Sequence, residues 1–124
     1  MLYGALDAKK GIEAAGNGLF IDPDNLPLKA NLGSLILLKA KQAEQHGETD
    51  ERNGFLKKAK EIFLELQATA WDPGFVKYRL GRILRLQGKF DEAIKLLESA
   101  KGKDVGEKKI KAEIDKANAK NDRF

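Results

Sequence analysis

The sequence predicts an all-α fold built from antiparallel helix pairs. Apolar residues recur every three or four positions along most of the 124 residues, which is the spacing of an amphipathic helix. Short turns containing glycine or proline separate these stretches. A composition of 42% hydrophobic and 34% charged residues suits helices with charged outer faces. The length suits a single domain over residues 1–124, with about six helices.

The first helix is predicted over residues 2–15. Four apolar residues share one of its faces: Ala5, Ala8, Ile12 and Ala15. The stretch Gly16–Gly18 accepts the left-handed conformation found at helix C-termini, and we expect it to end this helix. A turn follows, in which Asp24 or Asn25 can cap the next helix.

The second and third helices are predicted to form a long hairpin over residues 24–71. The second helix extends to a turn at Gly47–Thr49, and the third runs from about residue 50 to residue 71. The apolar faces consist of Leu28, Leu32, Leu35, Ile36 and Ala43 in one helix, and Leu56, Ala59, Ile62, Phe63 and Leu66 in the other. This hairpin is longer than the pair that follows it.

The clearest helix pair covers residues 73–101 and turns at Gly88. Asp72 is a candidate cap, and Pro73 fits the first turn of the opening helix. The apolar stripes are Val76, Leu80, Ile83 and Leu84, and then Phe90, Ala93, Ile94, Leu97 and Ala100. Two apolar stripes separated by one short turn are buried against each other as an antiparallel pair.

Gly81 stands in the middle of the first helix of this pair, where glycine costs about 1 kcal/mol relative to alanine. No cap or turn explains it. We therefore expect a packing reason, in which the missing side chain lets the partner helix approach closely and Ala93 is the small residue that faces it.

The last helix is predicted over residues 104–120. Asp104 and Glu107 have the spacing of a capping box. The apolar residues Ile110, Ile114 and Ala117 lie on one face only. A terminal helix of this kind can cover the last helix pair of a repeat protein, so we expect a capping helix.

The small residues resemble those of the tetratricopeptide repeat, a helix pair of about 34 residues. Gly81, Gly88 and Ala93 stand where that family accepts small side chains, and Leu32–Gly33 repeats the Leu80–Gly81 pair earlier in the chain. The resemblance implies a solenoid that begins in the middle of a repeat. Either the protein starts with a lone helix or the chain is a fragment of a longer protein, and we favour the fragment. Its parts would be a half repeat at 1–16, an elongated repeat at 24–71, a repeat at 73–101 and the capping helix at 104–120.

The sequence offers no recognisable catalytic or metal-binding pattern. There is no cysteine, and His46 is the single histidine. Ser34 and Ser99 have no base at a recognisable spacing. We expect a protein that is not an enzyme and that needs no cofactor or metal. With no long apolar run and no visible signal peptide, we expect no membrane span and a cytoplasmic location.

The resemblance implies that the first helices of successive repeats line a concave groove. The predicted groove residues are Asn31, Ser34, Phe75, Tyr78, Arg79, Arg82 and Arg85. Arginine offers a planar fork that fits carboxylates. Asn31 and Arg79 match the carboxylate clamp of co-chaperone tetratricopeptide domains, whose lysine is replaced here by Phe75. The last repeat and terminal helix are also similar to those of immunophilin-type co-chaperones.

These observations lead to a hypothesis of a non-catalytic module that binds an acidic protein or peptide segment, in keeping with the net charge of +4. One alternative is an assembly module that associates with itself or with another subunit through the 28–71 hairpin and the exposed end of the first helix. A second is weak nucleic-acid binding, which the interspersed acids and scarce aromatic residues disfavour. A third is that Arg79, Arg82 and Arg85 form a solvated helix face and pair with Glu61 or Glu65.

Overall fold

The structure is a computed structural model that describes residues 2–102 and 106–124. Within these ranges the chain has no strand and forms six helices, which confirms the predicted all-α class. The helices are α1 (Leu2–Ile21), α2 (Leu26–Gln45), α3 (Thr49–Ala68), α4 (Pro73–Leu86), α5 (Phe90–Ser99) and α6 (Glu107–Asn118). They form packed pairs of the kind found in helical repeat proteins. No helix in the described ranges is long and apolar enough to cross a membrane.

The chain divides into two compact units, residues 1–62 and 63–124, and the division falls within α3. In the first unit α1 packs against α2. Its buried apolar residues are Ala8, Ala15, Ala30, Ile36, Leu37, Ala40, Ala43, Leu56 and Ala59. These are mostly small side chains, which allow the helices to pack closely.

Helix α1 continues to Ile21, so the prediction that Gly16–Gly18 ends it is wrong. Packing against α2 explains the difference. A β-carbon at Gly18 would lie 2.5 Å from a methyl group of Leu28, which means that α2 approaches the backbone of α1 at this glycine. The glycine that suggested a helix end instead provides room for a neighbouring helix, and tertiary packing overrides its low helix propensity.

Helix α2 begins with a side-chain cap, because the Leu28 amide donates a hydrogen bond of 3.1 Å to Asn25 Oδ1. Asn25 is one of the two predicted caps. The turn after α2 contains Gly47 in the left-handed region, at φ +72°. Across this turn Arg52 Nε donates to Glu44 Oε1 over 3.0 Å, which joins the start of α3 to the end of α2.

In the second unit α4 packs against α5, and α6 packs against both. The buried apolar residues are Phe63, Leu66, Val76, Leu80, Ile83, Leu84, Leu86, Ala93, Leu97, Ala100, Ile110 and Ala117. Gly81 lies at the α4–α5 contact, where a β-carbon would lie 2.6 Å from Leu97 Cγ. The predicted close approach is therefore present, but the side chain that fills the space is Leu97 rather than Ala93.

The predicted start of α4 differs from the structure, whereas that of α6 is not tested. Pro73 is the first residue of α4, as predicted, but Asp72 makes no side-chain cap and has a left-handed backbone with φ 37°. A backbone in that region turns sharply, and Thr69 Oγ1 donates to the Leu66 carbonyl over 2.6 Å in the same connection. For α6, the predicted capping residue Asp104 lies outside the described residues, and the helix follows Gly106.

We expect Gly81→Ala to lower the free energy of unfolding by about 1–2 kcal/mol, because overpacking at Leu97 outweighs the gain in helix propensity. Gly54→Ala in α3 is the matched control, since a β-carbon there meets no atom within 4 Å. It should raise stability by up to about 1 kcal/mol. Urea unfolding measures both. Equal effects at the two glycines would contradict the packing explanation.

Candidate functional site

Helix α4 carries three arginines at three-residue intervals: Arg79, Arg82 and Arg85. Each residue of an α-helix is rotated by about 100°, so three residues fall about 60° short of a full turn. The three side chains therefore wind around the helix rather than forming one straight row. Arg85 is completely buried, whereas Arg79 and Arg82 are half-buried.

Arg85 lies in the core of the second unit rather than on an open groove. Its Nε donates to Glu113 Oε2 of α6 over 2.5 Å. Its Nη1 donates to two backbone carbonyls, those of Asn121 at 2.8 Å and of Arg123 at 2.7 Å. These contacts tie α4 to α6 and to the segment after it, residues 121–124. The role of Arg85 is to hold these parts of the fold together.

Arg82 shares the carboxylate of Glu113 with Arg85. Its Nε lies 3.6 Å from Glu113 Oε1, a distance that gives an ion pair without a hydrogen bond. On another side, its guanidinium carbon lies over the ring of Phe124, 5.4 Å from the centroid. The Arg82 guanidinium is thus held between one carboxylate and one aromatic ring.

Arg79 is surrounded by aromatic rings. Its guanidinium carbon lies 5.2 Å from the Phe75 centroid and 6.0 Å from the Tyr78 centroid. Its Nε is buried and has no hydrogen-bond partner in residues 2–102 and 106–124. Burial lowers the pKa of the Arg79 guanidinium, and the positive charge of Arg82 lowers this pKa further. Arg79 nonetheless remains charged at neutral pH, because arginine starts from a very high pKa.

Phe75, which contacts Arg79, belongs to an aromatic cluster with Phe63 and Trp71. Phe75 makes edge-to-face contacts with Phe63, at 6.1 Å between centroids, and with Trp71, at 6.2 Å. Phe63 is fully buried and anchors the cluster in the core. We name the surface formed by Phe75, Tyr78, Arg79 and Arg82 the arginine face.

Tyr78 is the member of the arginine face that also belongs to the core. It is half-buried, and together with Ile114 it packs against the cluster of Leu97, Ala100 and Ile110. Tyr78 therefore links the face to α5 and α6. Its ring packs against these apolar side chains, which limits its motion.

Two of the predicted groove residues belong to the other unit. Asn31 and Ser34 lie on α2, where Asn31 is exposed and Ser34 is half-buried. The remaining predicted residues all lie on α4 in the second unit. The candidate site is therefore the arginine face alone.

Sequence reasoning missed Glu113, although the sequence contains a signal for it. The stripe of α6 has members at Ile110, Ile114 and Ala117, and Glu113 takes the remaining position of the same face. An acid in an apolar stripe requires a buried partner, and here it is almost fully buried against Arg85. Phe124 carried no comparable signal, because it lies outside the helical pattern.

The charges of the site are unbalanced. Three guanidinium groups lie along α4, and Glu113 is the acid that forms ion pairs with Arg82 and Arg85. A surface with this excess can attract a carboxylate or another anion. No group of His, Cys, Asp or Glu side chains in the described part of the chain could hold a metal ion.

Comparisons of the chain with protein-family models, with curated proteins and with solved structures give no match.

Replacing Arg85 with glutamine is expected to lower the free energy of unfolding by about 3 kcal/mol, because the buried Glu113 would keep only the longer ion pair with Arg82. Lys101→Gln removes the same charge from the exposed Lys101–Glu98 pair, which is 2.9 Å long. That control should cost less than about 1 kcal/mol. Urea unfolding at neutral pH measures both. Similar costs for the two variants would refute the structural role of Arg85.

Proposed function

We propose that this chain is a tetratricopeptide-like interaction module that binds an acidic segment of a protein or peptide at the arginine face. The observation that supports it best is Arg79, a half-buried cation that lies over the Phe75 ring and has no ion pair with a described residue. A carboxylate from a partner would supply a counter-charge for this guanidinium.

The physical argument begins with the cost of burial. Taking a charged group out of water without a counter-charge is unfavourable, and the depressed pKa of Arg79 reflects that cost. A bound carboxylate would recover part of it, and the attraction would be stronger than in water because Phe75 and Tyr78 lower the local dielectric. The same rings would offer apolar contact to neighbouring partner residues. The arginine face therefore suits an acidic segment that also carries apolar side chains.

The packing of α4 and α5 is in keeping with the family resemblance. Gly81 admits Leu97 at the closest point of this helix pair, and Gly33 on α2 is also buried. The carboxylate clamp of co-chaperone domains is the sharpest form of the proposal, since Arg79 matches one of its positions. Phe75 replaces a clamp lysine, so this form relies on fewer charges than the clamp uses.

A solvated helix face is the main competing explanation for the arginines. Surface arginines usually keep their guanidinium groups in water. Arg79 differs, because its guanidinium lies over Phe75 and its Nε is buried. A buried charge that destabilises the free protein is retained when a partner provides the counter-charge.

We expect Arg79→Gln to weaken the binding of an acidic peptide at least about tenfold, since a charge-assisted pair would be lost. The suggested probe contains alternating Glu and Leu residues, with a matched Gln and Leu peptide as the uncharged comparison. Isothermal titration calorimetry gives both affinities. The urea midpoint of Arg79→Gln should stay unchanged or rise, because the variant removes a desolvated charge.

Lys108→Gln provides the control, because it removes one positive charge from an exposed position on α6. Its affinity for the acidic peptide should stay within about twofold of the unmodified chain. Equal losses for Arg79→Gln and Lys108→Gln would indicate a general charge effect, and no loss for either would contradict the proposal.

Self-association is a second candidate function, and one specific observation favours it. Phe20 and Ile21, at the end of α1, are 89% and 84% exposed. Large apolar side chains in contact with water often mark protein contacts. Light scattering should give a mass that rises with concentration, and Phe20→Ser with Ile21→Ser should abolish the rise. A concentration-independent mass of the unmodified chain would exclude this candidate.

A further inference from the structure

The segment of residues 121–124 is fixed to the core beside the arginine face. Arg85 Nη1 donates to the carbonyls of Asn121 and Arg123, and the Arg123 amide donates to Asn121 Oδ1 over 3.0 Å. The donor Arg85 has no exposed surface, and both of its bonds to the segment are part-buried. The backbone of the segment is therefore held from inside the protein.

Phe124 lies at the end of this fixed segment and contacts the arginine face. Its ring is half-buried and lies under the guanidinium of Arg82, at 5.4 Å from carbon to centroid. The Arg82 Nε is buried and lies 3.6 Å from Glu113 Oε1, which is too far for a hydrogen bond. Phe124 therefore contacts a half-buried arginine whose ion pair with Glu113 is a long one.

An aromatic ring in this position has two physical effects on Arg82. It restricts the long side chain through a cation–π contact, so that less conformational entropy is lost when a ligand binds. It also excludes water from one side of the guanidinium, which strengthens attraction to a carboxylate. Stacking occupies the flat side of a guanidinium and leaves its edge N–H groups for hydrogen bonds.

We infer that Phe124 is a positioning residue of the arginine face that orients Arg82 for a partner carboxylate, an inference that rests on the proposed function. The contacts run from Glu113 to Arg85, from Arg85 to the carbonyls of the 121–124 segment, and from Phe124 to Arg82. The segment is thus a built part of the binding surface. An acidic partner is bound by Arg79 over Phe75 and by Arg82 over Phe124, two guanidinium groups each placed on an aromatic ring.

The test measures the affinity of the full chain for the acidic Glu and Leu peptide by calorimetry. Phe124→Ala and Phe124→Leu should each weaken binding about fivefold, because both remove the aromatic ring. Phe124→Tyr keeps a ring and should bind within about twofold of the unmodified chain. Urea midpoints are recorded for every variant. Rescue by tyrosine but not by leucine would identify the ring, rather than apolar volume, as the required feature.

A coupling experiment separates positioning from general support of the fold. In an Arg82→Gln background Phe124→Ala should have no further effect on affinity, because its action passes through Arg82. In an Arg79→Gln background it should keep its effect of about fivefold. A purely structural role would reduce affinity by the same factor in both backgrounds, and that result would overturn the inference.

The remaining outcomes distinguish this inference from the proposed function. If Arg79→Gln weakens peptide binding and Phe124→Ala does not, the inference is wrong and the proposed function stands. Tighter binding by Phe124→Ala would also refute it, since the segment would then obstruct the face. If the unmodified chain does not bind the acidic peptide, both are refuted.

Discussion

The second unit depends on the buried ion pair between Arg85 and Glu113. A guanidinium with no exposed surface loses its hydration, so it is tolerated only where acceptors replace the lost water. Glu113 provides a carboxylate from α6, and the 121–124 segment provides two backbone carbonyls. The Arg85 side chain therefore fixes the packing of α4 against α6, the path of the 121–124 segment and the position of Glu113.

This pair also determines the electrostatics of the arginine face. Glu113 is oriented by the strongest of its contacts, that with Arg85, and only a longer ion pair remains for Arg82. Arg79 has aromatic neighbours and no ion pair with a described residue. Arg79 and Arg82 contribute an excess of positive charge at the edge of the core, because Glu113 bonds mainly to Arg85. The pairing of Arg85 with Glu113 in the core therefore leaves the positively charged surface that we propose binds acidic partners.

Much of the fold could be predicted, and the exceptions have physical causes. The predicted helices correspond to those of the structure because the 3.6-residue period of apolar residues extends over nearly every helix. The predicted end of α1 was wrong, because Gly18 lies at the packing contact with Leu28 and not in a turn. Gly81 correctly predicted a close approach of α5 to α4, but a glycine indicates only that a neighbouring group needs space. It does not identify Leu97 as the occupant.

The sequence by itself determined the all-α class, the turns at Gly47 and Gly88 and the arginine-rich character of α4, because these follow from local periodicity and backbone preference. It also contained Glu113 as an acid in an apolar stripe. Only the tertiary structure decided which arginine is buried and that Phe124 lies on Arg82. The physical reason is that helical periodicity defines the faces of one helix. The depth of each face depends on segments that are distant in sequence, and their positions are set by packing.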